Sequence, residues 1–316
     1  MEIIRGLHNL HPRQRGAVAA IGNFDGIHLG HQDLFRGVKE LAARQGAPAM
    51  AITFDPHPRH VLDPASSPSR ITGLRGKARW MAHYGIDAMF LLHFDHHLAA
   101  MEAADFAGEY LVGHLGLAGL VVGFNFRFGA RGAGDIALLR EVGRRNGFPV
   151  WEHPPFFHQG DPVSSTRVRE TVLSGDLLQA EALLGRPFEI EGKVGHGAGR
   201  GGRLGCPTAN LSLAGFLHPP RGVYISEAWV DGVWYPAVSN IGCNPTFGGE
   251  HPRLETHILA EVGVLYSRGI RIRFCKWLRD ERPFPDARAL LTQIEHDIAT
   301  ARTWFEHHPV GGGDSL

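Results

Sequence analysis

The sequence predicts an open, doubly wound parallel α/β domain followed by a small antiparallel β-barrel with a C-terminal helix. Three observations carry the prediction. Short apolar runs alternate with helical patterns over the first half of the chain. Beyond about residue 185 the texture changes to glycine, proline and β-branched alternation. An amphipathic segment, 286–306, then closes the chain. The length, 316 residues, also exceeds that of a usual single domain. Domains are therefore expected at 1–185 and 186–306, with a disordered tail at 307–316.

AVAAIGNF, 17–24, reads as a buried strand, followed by a glycine-rich turn. A helix follows with Leu34, Phe35, Val38 and Leu41 on one face, ended by Gly46-Ala47-Pro48. AMAITF, 49–54, is the second strand and completes a βαβ unit. Helices near 74–84, 102–115 and 135–146 alternate with strands at 88–94, 119–124 and 148–153. In such sheets ligands bind beyond the carboxyl ends of the strands. IGNFDGIHLGH, TFDPHP and VGFNFRFG all fall at such ends. In the second half, FEIEGKV, GVYISEAWV, VWYPAVSNI, LETHIL and IRIRF read as strands of an antiparallel barrel. Leu290, Leu291, Ile294, Ile298 and Phe305 form the expected buried stripe of the closing helix.

Composition narrows the partners. Lys+Arg and Asp+Glu balance at 32 each, so no global attraction to nucleic acid or anionic membrane is indicated. Cys206, Cys243 and Cys275 are isolated and form neither a disulfide framework nor a CxxC zinc pattern. Residues 1–16 are polar and basic without an apolar core, and no apolar run approaches the ~18 residues of a membrane span. The expected setting is the cytoplasm and the expected partners are small molecules.

In Gly22-Asn23-Phe24-Asp25-Gly26-Ile27-His28-Leu29-Gly30-His31, glycines let the backbone bend close to a ligand. The following helix aims its N-terminal amides at the same point. His28 and His31, three apart, can present both imidazoles on one face. Together these make a cradle for polyphosphate; a zinc site would need a third protein ligand. An ordinary surface turn can also carry an HxxH pair. Pro162-Val163-Ser164-Ser165-Thr166-Arg167-Val168-Arg169 adds hydroxyls and two arginines where a helix begins. Cations are unfavourable beside a positive helix end, and a bound anion would offset that. No GxxxxGK[ST] sequence occurs, which excludes a P-loop kinase on pattern.

GNFDGIHLGHQ with VSSTRVRE resembles the nucleotidylyltransferase superfamily, and TFDPHPR and VVGFNFRFG narrow the resemblance to its FAD synthetase branch. HGAGRGGRLGCPTANL, RGVY, NIGCNPTFGG, LETHIL and WLRDERPF look like riboflavin kinase. The order is that of the bacterial bifunctional riboflavin kinase/FAD synthetase family, and the resemblance covers roughly 5–306. It implies a Rossmann-like FMN adenylyltransferase domain followed by a riboflavin kinase barrel. The implied substrates are riboflavin, FMN and ATP with Mg²⁺, and FMN and FAD are the products.

The resemblance also implies residue roles. His28 and His31 would stabilise charge on the ATP phosphates, with Gly22, Asn23, Phe24 and Asp25 lining the same loop. Ser165, Thr166 and Arg169 would hold those phosphates, and Asn125 would contact nucleotide or flavin. His57 and Arg127 would meet the flavin. In the second half Thr208 and Asn210 would coordinate the Mg²⁺ of MgATP, and Glu255 would be general base for the ribityl hydroxyl. Arg279 would lie near the flavin. Gly197-x-Gly199-x-x-Gly202 matches a dinucleotide fingerprint but lacks a βαβ context; a loop that folds over ATP phosphates fits it better. Cys206 stands where the family usually shows Phe. The first half alone is compatible with another nucleotidyl acceptor, such as a phosphopantetheine or glycerol phosphate. The whole chain is compatible with a flavin-binding module without turnover. His28, His31, Thr208, Asn210 and Glu255, all intact, favour the enzyme.

Overall fold

The computed structural model describes residues 1–197, 206–246 and 249–311. They fall into two compact units, Met1–Ser69 with Leu74–Ser164, and Arg70–Gly73 with Ser165–Leu316.

In the first unit β1 (Glu2–Arg5), β2 (Val18–Ile21), β3 (Ala49–Asp55), β4 (Ala88–His93), β5 (Gly119–Gly123) and β6 (Val150–His153) form one sheet. Every pair is parallel and the order is β1-β4-β3-β2-β5-β6. The inner strands are apolar runs because both faces are covered. Ala19 and Ile21 of β2 join one core with Met50, Ile52, Phe90 and Leu92, while Val18 and Ala20 join the other with Phe35, Trp80 and Met81. The edge strand β1 escapes sequence reading, since it buries only Ile4 and shows no alternation.

α1 (Leu29–Gln45) and, after the short α2 (Pro58–Leu62), α3 (Leu74–His83) cover the second face. α1 stops at Gly46, whose φ of 61° gives the left-handed cap that glycine adopts without strain. Beyond α4 (His96–Ala100), α5 (Ala103–Phe106) runs on as a π-helical stretch, Ala107–His114, and covers the first face with α6 (Ile136–Asn146). A small hairpin, β7 (Phe157–His158) and β8 (Asp161–Pro162), follows.

The second unit begins with α7 (Ser165–Ser174) and α8 (Leu177–Leu184). The texture change near residue 185 marks the start of the antiparallel strands, but the compact units part earlier, after Ser164. The reason is packing: α8 lies on the last strand of the sheet and Gly175 lies against Pro220. β9 (Glu189–Lys193), β10 (Ala209–Ser212), β11 (Gly222–Val230), β12 (Val233–Thr246), β13 (Gly249–Ile258) and β14 (Gly269–Arg279) are ordered β10-β13-β12-β11-β14-β9. The Gly195 amide donates to the Asn210 carbonyl at 2.9 Å, which brings the chain after β9 back to β10 and nearly closes a barrel. Inside, Ser226, Ser239 and Thr256 form a buried hydroxyl ladder across β11, β12 and β13, at 2.7 and 2.8 Å.

α9 (Ala287–His307) closes the fold. The expected stripe of Leu290, Leu291, Ile294, Ile298 and Phe305 is only half-buried, and the buried positions are Asp297 and Ala301. The helix is held by a charged clamp: Asp297 accepts from Arg279 Nε at 3.1 Å and from its terminal nitrogen at 2.8 Å. Hydropathy cannot show such a contact. The helix runs into the stretch read as tail, the Gly311 amide donates to Glu227 at 3.1 Å, and residues 312–316 lie outside the described residues.

Asp297→Ala leaves the Arg279 guanidinium without its buried partner, so the second unit should lose about 3 kcal/mol, measured by urea denaturation. Tyr224 provides a pH test. It is buried, its hydroxyl donates to the Pro220 carbonyl at 2.6 Å, and burial, aided by Asp280, pushes its phenol up to about 12. The folded state thus holds this proton above its ordinary value of about 10. The resulting stability is complete below that value and is lost as pH rises through about 10 to 12. The melting temperature should fall over that window, and the fall should be shallower in Tyr224→Phe.

Candidate functional site

Because the first sheet is wholly parallel, the turns after β2, β3, β4 and β5 emerge at one edge. β3 lies on one side of β2 and β5 on the other, so the topological switch point sits between β2 and β5. The loop from Gly22 to His28 leaves β2 at that point. Its conformation is forced: Phe24 and Ile27 are left-handed at φ 47° and 44°, and both are buried. A β-branched residue there costs roughly 1–3 kcal/mol, so packing must hold it. Phe24 wedges against Phe35 and the His31 ring, with centroids at 4.9 and 5.3 Å. The Asn23 carbonyl is gripped twice, by Lys77 Nζ at 2.8 Å and by Thr53 Oγ1 at 3.2 Å. The neighbouring Asp25 is buried.

His28 is the N-terminal cap residue of α1 and is 5 % exposed. Its carbonyl accepts from the amides of His31 and Gln32, at 2.8 and 3.0 Å. The two imidazoles stack at 3.7 Å, inclined by 17°. Gly30 makes this possible, since a Cβ there would press on the His28 ring at 3.3 Å. Farther along, Asp33 bonds His153 Nε2 at the end of β6 at 3.0 Å and fixes the start of α1 against the sheet.

The other candidates of this unit share the edge. His57 caps α2 after β3, its Nδ1 accepting from the Arg59 amide at 3.2 Å. Asn125 and Arg127 are exposed beyond β5, where Arg127 faces Asp135 at 3.6 Å. Ser165 opens α7 in the second unit, with Thr166 exposed and Arg169 half-buried.

In the second unit the strand register does the assembling. Glu255 on β13 is opposite Asn210 on β10 and opposite Asn240 on β12. These three side chains form one row on the sheet face opposite the hydroxyl ladder. Directly opposed side chains stand ~4.5–5.5 Å apart at Cβ. Asn210 donates from Nδ2 to Thr208, to its carbonyl at 3.2 Å and its hydroxyl at 3.5 Å. That leaves Asn210 Oδ1 buried and without a hydrogen-bond partner among the described residues. The Thr208 hydroxyl and the Asn210 amide oxygen are both hard donors of the kind Mg²⁺ takes. Thr208 also lines a groove of about 760 Å³ with Val194, Ile258, Val264, Tyr266 and Arg302. Gly197 packs directly on the Asn210 amide, while Gly199 and Gly202 lie outside the described residues. The Arg279 guanidinium is engaged by Asp297 and by the Asp280 carbonyl at 3.0 Å, so it braces the segment after β14. Among the described residues, no three His, Cys, Asp or Glu side chains are grouped to hold a metal ion.

Sequence reasoning missed Lys77, Thr53 and Asn240. Lys77 had a signal: it is one of only four lysines in a chain whose cations are otherwise arginine, and it sits on the buried face of α3.

These two units define a class, a chain with two phosphate-handling transferase sites on two unrelated folds. Family models agree: one described as FAD synthetase matches residues 10–167, and one described as riboflavin kinase matches residues 184–305. A bifunctional riboflavin kinase/FMN adenylyltransferase of Pseudomonas fluorescens is 41% identical, covering 96% of this chain and 97% of the relative. Its counterpart in Escherichia coli K12 is 40% identical over 96% of this chain and 98% of its own length. A solved structure titled a macrolide-efflux protein from Streptococcus pneumoniae superposes with a TM-score of 0.81 at 29% identity, covering 96% of this chain and 100% of that one. Among the described residues of this chain no helix is long and apolar enough to cross a membrane. The chain belongs to the bifunctional riboflavin kinase/FMN adenylyltransferase family. It phosphorylates riboflavin to FMN and adenylylates FMN to FAD.

Lys77→Met keeps the aliphatic volume but releases the Asn23 carbonyl. FMN adenylylation should fall about tenfold, the effect of one charged hydrogen bond, while riboflavin phosphorylation is unchanged. Separate FMN and riboflavin incubations, followed by chromatography, measure both.

Proposed function

We propose that adenylylation occurs at the switch-point loop of the first unit and phosphorylation along the Asn210–Glu255 row of the second. In the first reaction the FMN phosphate attacks the α-phosphorus of ATP, the new P–O bond forms, and pyrophosphate leaves. Negative charge gathers on the phosphate oxygens. His28 and His31, stacked at a helix N-terminus, offer ring N–H donors and a positive dipole end to those oxygens. Gly22, Asn23, Phe24 and Asp25 shape the cradle, and Asn125, His57 and Arg127 meet nucleotide or flavin from the same sheet edge. Ser165, Thr166 and Arg169 take the phosphate-holding role that the family resemblance gives them.

In the second reaction ATP lies in the groove beside Thr208 and its phosphates run toward Asn210. The observation that carries this reading is that Thr208 belongs both to the groove and to the donor pair beside Glu255. Thr208 and Asn210 would hold Mg²⁺, which when bound offsets charge on the nucleotide phosphates. Glu255 accepts the proton of the ribityl 5′-hydroxyl. That oxygen bonds the γ-phosphorus as the bond to ADP breaks. Gly197 supplies backbone close to the phosphates.

Glu255→Gln should abolish FMN formation from riboflavin, with a loss of at least ~10²-fold from a missing general base, and leave FMN-to-FAD conversion intact. The double variant His28→Ala/His31→Ala should show the reverse pattern. Kinase activity surviving in the first, or lost in the second, would refute the assignment of one reaction to each unit.

A further inference from the structure

We infer that Asn240 is a substrate-binding residue of the kinase site, whose side-chain oxygen accepts a hydrogen bond from a ribityl hydroxyl of the incoming flavin. The inference rests on the two-site reading above and adds a contact to it. Asn240 sits on β12 directly opposite Glu255, as Asn210 does on β10, so the glutamate is bracketed by an amide on each side. Both amides are oriented alike. Asn210 turns its Nδ2 to Thr208, and Asn240 turns its Nδ2 to Glu281 Oε1 at 3.4 Å.

That orientation is built in. Gly242, two residues along the same strand, is where a Cβ would collide with the Glu281 carboxylate and approach Asn240 Nδ2 to 3.1 Å. With glycine there, Glu281 reaches Asn240 and fixes which end of the amide faces it. Asn240 Oδ1 is then left buried and without a hydrogen-bond partner among the described residues. A buried acceptor without a donor is costly, so something that donates is expected to meet it.

The two orphaned oxygens divide the labour by side. The nucleotide groove opens beside Thr208, on the β10 side of Glu255, so the cation and phosphates belong with Asn210. The phosphoryl acceptor must then approach Glu255 from the β12 side, where Asn240 waits. A polyol side chain carries the hydroxyl donors that an amide oxygen needs.

Steady-state kinetics with riboflavin and MgATP varied separately test this, with FMN adenylylation as the control for an intact chain. Asn240→Ala should raise the riboflavin KM about tenfold, as expected for one lost hydrogen bond, and leave the MgATP KM within about twofold. Riboflavin analogues lacking the 2′-, 3′- or 4′-hydroxyl, compared on both enzymes, give a second reading: one of them should raise KM about tenfold on wild type and no further on Asn240→Ala. An unchanged riboflavin KM in Asn240→Ala would overturn the inference. So would a loss confined to MgATP, or deoxy analogues whose effects all add in full to that of Asn240→Ala. Those results require a wild-type enzyme that phosphorylates riboflavin; a wild type that does not would sink the kinase-site reading itself.

Discussion

Strand register is the constraint on which the second unit depends. Side chains alternate faces along a strand, so a slip of one residue between β13 and its neighbours would send Glu255 into the barrel and bring Thr256 out. The interior prevents this. Leu254, Thr256 and Ile258 are buried on one face of β13, and Thr256 is tied to Ser239 and through it to Ser226 by hydroxyl contacts of 2.8 and 2.7 Å. Moving the ladder would strand three buried hydroxyls in an apolar core. The row of Asn210, Glu255 and Asn240 on the other face is therefore held in line by polar contacts inside the barrel.

The first unit solves a different problem. Its switch-point loop bends the backbone into conformations that ordinary residues resist. Here the bend is held from three sides: by burial of Phe24 and Ile27, by the Lys77 and Thr53 grip on the Asn23 carbonyl, and by the Asp33–His153 contact that seats α1. The histidines share in that support, His31 by packing on Phe24 and His28 by capping α1 through its carbonyl. They stand at a helix start, with Gly30 between them close against the His28 ring.

Charged pairs in the second unit serve as fasteners as much as chemistry. Arg273 is buried, pairs with Glu227 at 3.2 Å and lies over the Trp234 ring at 4.0 Å. Arg279 pairs with Asp297 at 2.8 Å. Nearby, the Cys275 thiol is pushed far up by burial, with Glu227 reinforcing the shift, so it behaves as a packed apolar group and not as a nucleophile.

The sequence carries the fold class of both halves and the helix stop at Gly46, and it nominates His28, His31, Thr208, Asn210 and Glu255 as candidates. These rest on local periodicity and on motifs, which report how each segment is buried and what it carries. It left β1, the half-buried stripe of α9, the lysine beneath Asn23 and the asparagine beside Glu255 to the tertiary structure. Each of those depends on residues far apart in the chain meeting at one place: Ile4 on β4, Arg279 on Asp297, Lys77 on Asn23, Asn240 on Glu255. Periodicity says that a side chain turns inward or outward; the pairing of remote strands and helices decides what it meets there.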